Sequence, residues 1–304
     1  MNILIIFDME GCVGVSPFMP ERERLILMQK EVCIVLNYLI ENYNQNSYAV
    51  LDFHNFGLNL LKIEDNYPNV KFIHHIWNYN FTAEYDFAMI FGMHVASQIK
   101  GNFAHTFRGE IKQIYFDKQP IGETEILIDW LHKQNIPTLL INGDKDYCSS
   151  IELFPEIKRS SANSYSQLMK DIGNVLINIK HFKAESLVYN YLCVELRYPE
   201  MLSFFPSDYK IKNDCLYFIN SAMFLENLGE ICIVLNYINQ LFKFRRTMLG
   251  RKIDCFENKY DKDIIKDIIM KHTKRHLFIS KEEEKTILKL IEERGLDENQ
   301  EEKV

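Results

Sequence analysis

A chain of 304 residues, 47% hydrophobic and 25% charged, has room for a real core in one large domain or two ordinary ones. Its formal charge of −7 argues against nucleic acid or an anionic membrane as the main partner. Seven scattered cysteines without a CxxC pair fit reduced thiols in a cytoplasm, not a disulfide framework or a Cys-based zinc site.

The chain opens on Ile3-Leu4-Ile5-Ile6-Phe7, an apolar and largely β-branched run that reads as a buried strand. No basic stretch precedes it, so it is not a signal peptide, and no run approaches the roughly 18–20 apolar residues of a membrane span. Asp8, Glu10 and Gly11 follow directly. Gly14 and Pro17 mark a loop, Pro20 suits a first helical position, and Leu25, Met28, Val32, Val35, Leu36 and Leu39 recur at helical spacing to about Glu41. A second strand runs from Ser47 to Phe53 with His54 at its end. A short one at Val70–His75 ends in His74 and His75, and another at Asp86–Phe91 leads into Gly92-Met93-His94. Lys100–His105 is a loop, and Gln113–Ile121 is a hairpin. A helix starts near Glu123 with Ile126, Leu127, Trp130 and Leu131 buried, and a buried strand at Pro137–Ile141 precedes Asn142-Gly143-Asp144. Strands alternating with helix-length segments predict right-handed crossovers and a mostly parallel α/β sheet with flanking helices.

Composition shifts over Ser150–Arg159, which we read as a crossing between domains. Beyond it come a helix at Ser164–Ile179, strands at Tyr191–Arg197 and Cys215–Asn220, and an amphipathic helix at Phe224–Leu241. The expected division is an α/β catalytic domain (1–155), a smaller α+β unit (156–245) and a helical, partly disordered tail (246–304). Within the tail, Asp261–Met270 is helical and Ser280 with Glu283 forms a capping box. His132 is expected on an exposed helix face. His272 and His276 are expected on a solvated basic one.

In a parallel sheet Asp8, Glu10, His54 and His94 gather at one edge, where ligands bind. Asp8 and Glu10, two apart, would point to the same side of an extended backbone and repel unless a proton or cation lies between them. Carboxylates with histidines are zinc-type ligands. A carboxylate can bridge two ions about 3.5–4 Å apart, which together activate water and polarise a carbonyl. On spacing alone His74 and His75 compete with His54 and His94 for the ligand role. Glu123 can equally serve the helix dipole, and Asp144 can serve a turn.

The ordered set Asp8-Met9-Glu10-Gly11, His54, Gly92-Met93-His94, His105, Ile121-Gly122-Glu123 and Gly143-Asp144 resembles the DppA-type zinc D-aminopeptidases, over roughly the first 240 residues. The resemblance implies two zinc ions per chain held by Asp8, Glu10, His54, His94 and Glu123, with His105 as the catalytic histidine. It leaves His74 and His75 as non-ligands. It further implies hydrolysis of the N-terminal residue, often a D-residue, of small peptides in a homo-oligomer such as a ring-shaped decamer. The sequence departs from the family pattern at Ile6, where serine is usual, and at Ala104 and Thr106, which replace the serines flanking the histidine.

Two rival readings follow from the same residues. Phe7–Gly11 with Gly143–Asp146 resembles the acidic motifs of haloacid-dehalogenase-like magnesium phosphatases, a scheme with no task for His54, His94 and His105. A non-catalytic, metal-stabilised scaffold with a partner-binding tail is the other.

Overall fold

The strand Ile3–Phe7 is completely buried, and the rest of the first unit is arranged around it. The computed structural model describes residues 1–248 apart from 56, 75–83, 98–99, 101–102 and 151–152. In chain order the elements are β1 (Asn2–Phe7), α1 (Glu21–Asn42), β2 (Ser47–Asp52), the single turn α2 (Leu61–Glu64), β3 (Val70–Ile73), β4 (Phe87–Met93), β5 (Ile111–Phe116), β6 (Gln119–Ile121), α3 (Glu123–Lys133), β7 (Thr138–Gly143), α4 (Lys145–Ser150), β8 (Lys158–Ser160), α5 (Tyr165–Ile177), β9 (Leu192–Leu196), β10 (Lys210–Lys212), β11 (Cys215–Phe218) and α6 (Ser221–Met248).

The first sheet has six strands in the order β3-β2-β1-β4-β7-β8, paired in parallel. From β1 the chain first builds outward through β2 and β3, then crosses back to add β4, β7 and β8 on the other side. The order therefore reverses beside β1, and such a reversal opens a crevice at the carboxyl ends of the strands. Strands covered on both faces need continuous apolar sequence, which is what β1 supplies. Each of its isoleucine, leucine and phenylalanine side chains contributes about 1.5–3 kcal/mol by leaving water. Phe7 stacks on Phe91 of β4 at 4.9 Å between ring centroids. From α1 the buried side chains are Met28, Glu31, Val32, Val35, Leu36 and Leu39. Pro20 stands one residue outside that helix in an extended conformation, so its missing N–H costs no helical hydrogen bond.

A smaller antiparallel sheet in the same unit has the order β11-β9-β5-β6. The chain forms two compact units, Met1–Arg197 with Cys215–Gly229, and a second that starts with Tyr198–Asp214 and resumes at Glu230. The division expected at residue 155 does not coincide with these units. β8 pairs with β7, so the parallel sheet continues past that point, and β5 and β6 share a sheet with the distant β9 and β11. The second unit contains β10 and an edge-on contact between Phe205 and Tyr209 at 5.4 Å. Its expected tail helices, with His272 and His276, lie outside the described residues, as does His75. No described helix is long and apolar enough to cross a membrane.

His132 corrects the sequence expectation. It is buried, not exposed, because the last turn of α3 faces β7. Its Nε2 accepts the Thr138 N–H at 3.3 Å, its ring meets Phe154 edge-on at 5.5 Å, and its Nδ1 lies about 3 Å from the backbone of Glu185.

Candidate metal centre

Parallel register sets the site. Phe7 is level with Asp52 of β2 and with Phe91 of β4, so Asp8, His54 and His94 all emerge just past the same edge. Asp8 and Glu10 are not on an extended strand as expected: β1 ends at Phe7 and the chain turns at once. The turn is fastened to β4, since Asp8 N–H donates to the Phe91 carbonyl at 2.9 Å and Gly11 N–H to that of Gly92 at 2.8 Å. Only glycine fits the facing position. Gly92 has φ +77, and a Cβ there would overlap the Asp8 carbonyl. The His54 loop is held from behind by the buried Asp52 carboxylate, which accepts from Asn59 N at 2.5 Å and Leu60 N at 3.0 Å.

Two clusters of candidate ligands result, Asp8 with Glu10 and His54, and His94 with His105 and Glu123. Within each, one donor atom per residue lies within 4.8 Å of the others. Asp8 joins them. Its Oδ1 is 3.0 Å from His54 Nδ1, and its Oδ2 is 3.4 Å from His94 Nε2. His94 Nε2 is also 3.5 Å from Glu123 Oε1, and His105 Nε2 is 4.0 Å from that same oxygen. The rings of His94 and His105 stack at 4.2 Å. All six residues expected at the site are thus brought together, and His105 stands among the ligand atoms. His74 is elsewhere, tied to Glu64 at 2.8 Å and to the Gly57 carbonyl at 3.1 Å.

The imidazoles are oriented from behind. His94 Nδ1–H donates to the Val95 carbonyl at 3.0 Å, and His105 Nδ1–H to that of Phe103 at 2.8 Å. Each bond leaves Nε2 with its lone pair facing the carboxylates, the arrangement that orients metal-binding histidines. Phe103 and Phe107, on either side of His105, have φ +52 and +56. Bulky residues in that left-handed region cost about 1–2 kcal/mol each, a strain typical of functional loops. Phe107 N–H donates a short hydrogen bond to Glu123 Oε1, so the same strained loop fixes the carboxylate at the start of α3.

The electrostatics are those of a site built for cations. Burial and the charge of Glu10 push Asp8 up to about 6. Burial also pushes Glu10 up, but His54, His94 and His105 outweigh it and hold that carboxyl well below the usual range. Glu123 is pushed up to about 7, chiefly by burial. Burial disfavours charge on His54, His94 and His105. For His54 and His105 the neighbouring carboxylates prevail and raise the pKa, whereas burial keeps His94 low and neutral. Among the described residues Glu10 Oε2 is buried without a hydrogen bond, because the one His54 Nδ1–H, 3.2 Å away, is directed at Asp8 instead. An orphaned carboxylate oxygen beside three imidazoles, two of them oriented from behind, fits a zinc-type ion, which takes both nitrogen and oxygen donors. Magnesium and calcium prefer oxygen alone.

Asp144 serves the turn that its sequence suggests. Its Oδ1 accepts Tyr147 N–H at 2.6 Å at the start of α4, while its Oδ2 is buried with no hydrogen bond among the described residues. Sequence reading missed Arg24, whose Nη1 is 4.0 Å from Glu10 Oε1, and Glu31, whose carboxylate holds the loop after Glu10 through Val13 N–H at 2.6 Å. A charged residue on an otherwise apolar helix face is the only trace Glu31 leaves in the sequence.

Comparison with known proteins adds to this geometry. A solved structure, the "Zn-dependent D-aminopeptidase DppA from Bacillus subtilis, a self-compartmentalizing protease", aligns with a TM-score of 0.64 and 17% identity over 78% of this chain and 97% of its own. At that identity the likeness establishes a shared fold. No curated protein matches the chain. The Peptidase_M55 family model, described as D-aminopeptidase, matches residues 1–171, more than half of the 304, and spans every strand end that carries the site. The chain belongs to that D-aminopeptidase family.

Proposed function

We propose that this chain is a dinuclear zinc aminopeptidase that releases the N-terminal residue, a D-amino acid, from small peptides. The observation that carries the reading is the placement of Asp8, with one carboxylate oxygen facing His54 and the other facing His94. A carboxylate so placed can bridge two ions. Asp8, Glu10 and His54 would complete one ligand shell, and Asp8, His94 and Glu123 the other. When bound, the zinc ions supply Lewis acidity that activates water near neutral pH and polarises a carbonyl.

The rest of the chemistry belongs to the chain. Val95 and Phe103 hold the imidazoles of His94 and His105 by their Nδ1–H groups. Phe107 holds Glu123. His105 is the most exposed of these histidines at 35%, with Nε2 turned toward the site, and we assign it proton transfer at the reacting group. The phosphatase reading leaves His54, His94 and His105 without a task, and the family match stands against it. Cys12, Cys33, Cys193, Cys215 and Cys232 are free thiols, which supports a reducing, cytoplasmic setting. The self-compartmentalizing character of the solved relative supports a homo-oligomer, and a ring-shaped decamer is the form we propose for it.

Elemental analysis of untagged protein tests the reading first. About two zinc ions per chain are expected, falling sharply in Asp8→Asn, and D-alanyl peptides should be hydrolysed. His105→Ala should keep its zinc and lose on the order of 10²-fold or more in turnover. Wild-type turnover in that variant would remove His105 from the mechanism, and one zinc per chain would remove the bridge.

A further inference from the structure

Arg24, in the first turn of α1, stands beside Glu10 of the candidate metal centre. The side chain is 18% exposed, and Nη1 lies 4.0 Å from Glu10 Oε1, too far for a hydrogen bond. The guanidinium carbon sits over the Phe103 ring, 5.1 Å from its centroid, in a cation–π contact. Its Nε is buried and donates to nothing among the described residues. An arginine carries five N–H donors in a rigid fork whose natural partner is a carboxylate or phosphate. A buried donor without a partner is costly, so a guanidinium kept this way is arranged for a group that arrives later.

The position defines what that group is. Three carboxylates, Asp8, Glu10 and Glu123, crowd the centre, a set whose charge two bound zinc ions would neutralise. Arg24 adds a fixed cation on the Glu10 side. It is also linked to the catalytic loop, because the Phe103 beneath it provides the carbonyl that orients His105. A carboxylate on this fork lies within one or two residues' reach of the ligand atoms, at ~3.5 Å per extended residue. Only a very short peptide places its own terminus there.

We propose that Arg24 binds the free C-terminal carboxylate of a dipeptide or tripeptide substrate, and so makes the enzyme selective for short peptides with an unblocked C-terminus. The proposal rests on the peptidase reading for the identity of the substrate. The geometry of the fork is independent of that reading.

The test compares zinc-loaded wild type with Arg24→Gln on three probes: D-alanylglycine, its C-terminal amide, and D-alanylaspartate α-amide, whose only carboxylate is on the side chain. Wild type should favour the free dipeptide over its amide by about 10-fold or more, through KM, as expected of a charge-assisted pair. In Arg24→Gln the ratio should collapse toward one. An unchanged ratio in the variant, or no preference in wild type, overturns the proposal. A preference confined to the side-chain carboxylate overturns the C-terminal assignment. Calorimetric binding of D-alanylglycine and its amide to the same two proteins decides the matter even if neither is hydrolysed. Carboxylate-dependent binding seen in wild type and lost in Arg24→Gln supports the fork while the peptidase reading alone fails. Equal binding of acid and amide to wild type overturns it.

Discussion

Glu31 is completely enclosed on the apolar face of α1, with one carboxylate oxygen on Val13 N–H and the other, Oε1, without a hydrogen bond. Burial pushes its carboxyl up to about 7. In the unfolded chain the group titrates near its ordinary value, about 4.3. Because the folded value is raised, the folded state holds the proton more tightly. The stabilisation is complete below about pH 4.5, falls as pH rises toward 7, and is gone above it. The span corresponds to roughly 4 kcal/mol. Glu31→Gln keeps an oxygen for Val13 N–H and removes the titration. Its Tm advantage over wild type should therefore grow between pH 5 and pH 8 in thermal unfolding. A Tm difference that is flat across that range would show that the carboxyl is not held protonated. The same residue carries a structural task, since it anchors the loop that delivers Glu10, so its conservative variant should retain zinc.

At the scale of elements, the loop after β1 and the end of β4 interlock, and glycine is the condition for it. Gly92→Ala would force a Cβ against the Asp8 carbonyl at a positive φ, and Gly11 meets the Met93 carbonyl in the same way. A loss of about 2–4 kcal/mol is expected in urea unfolding, with zinc occupancy reduced because Asp8 is the group displaced. The interlock also explains which parts of the fold were legible in sequence. Apolar runs ending in an acid or histidine marked β1, β2 and β4 correctly, and the helical spacing on α1 and α3 marked their buried faces. These are local signals. The pairing of β5 and β6 with β9 and β11 joins segments about 80 residues apart, and nothing local records it. For the same reason β8 was hidden: three residues, Lys158–Ser160, carry too little pattern to show as a strand. At the site, the motif residues were visible because chemistry demands their types. His132, Glu31 and Arg24 were not, because their surroundings come from other elements and not from their sequence neighbours.

For the whole molecule, the metal centre and the fold are energetically linked. An ion that binds only the folded chain stabilises it in proportion to the logarithm of its concentration over Kd. Chelation should therefore lower Tm by several degrees, and added zinc should restore it, as read by differential scanning calorimetry. A Tm indifferent to chelator would mean that the clustered carboxylates and histidines hold no ion in solution. The sheet core does not depend on that ion. Ile3, Ile5, Phe7, Val50, Met89 and Phe91 are buried in one cluster with the apolar face of α1, and Leu4, Ile6, Leu51 and Ile90 are buried as well, without any contribution from the ligands.

The order of the strands has a further consequence during synthesis. Asp8 and Glu10 leave the ribosome first, and Glu123 follows more than a hundred residues later, by a crossover to the other side of β1. No early fragment contains both halves of the centre. The sheet must close around β1 before Asp8 can face His54 on one side and His94 on the other. On the zinc reading, charging is then the last event of maturation, performed by a finished scaffold. A cell starved of zinc would accumulate this protein folded and idle, ready to be switched on by supply of the ion without new synthesis.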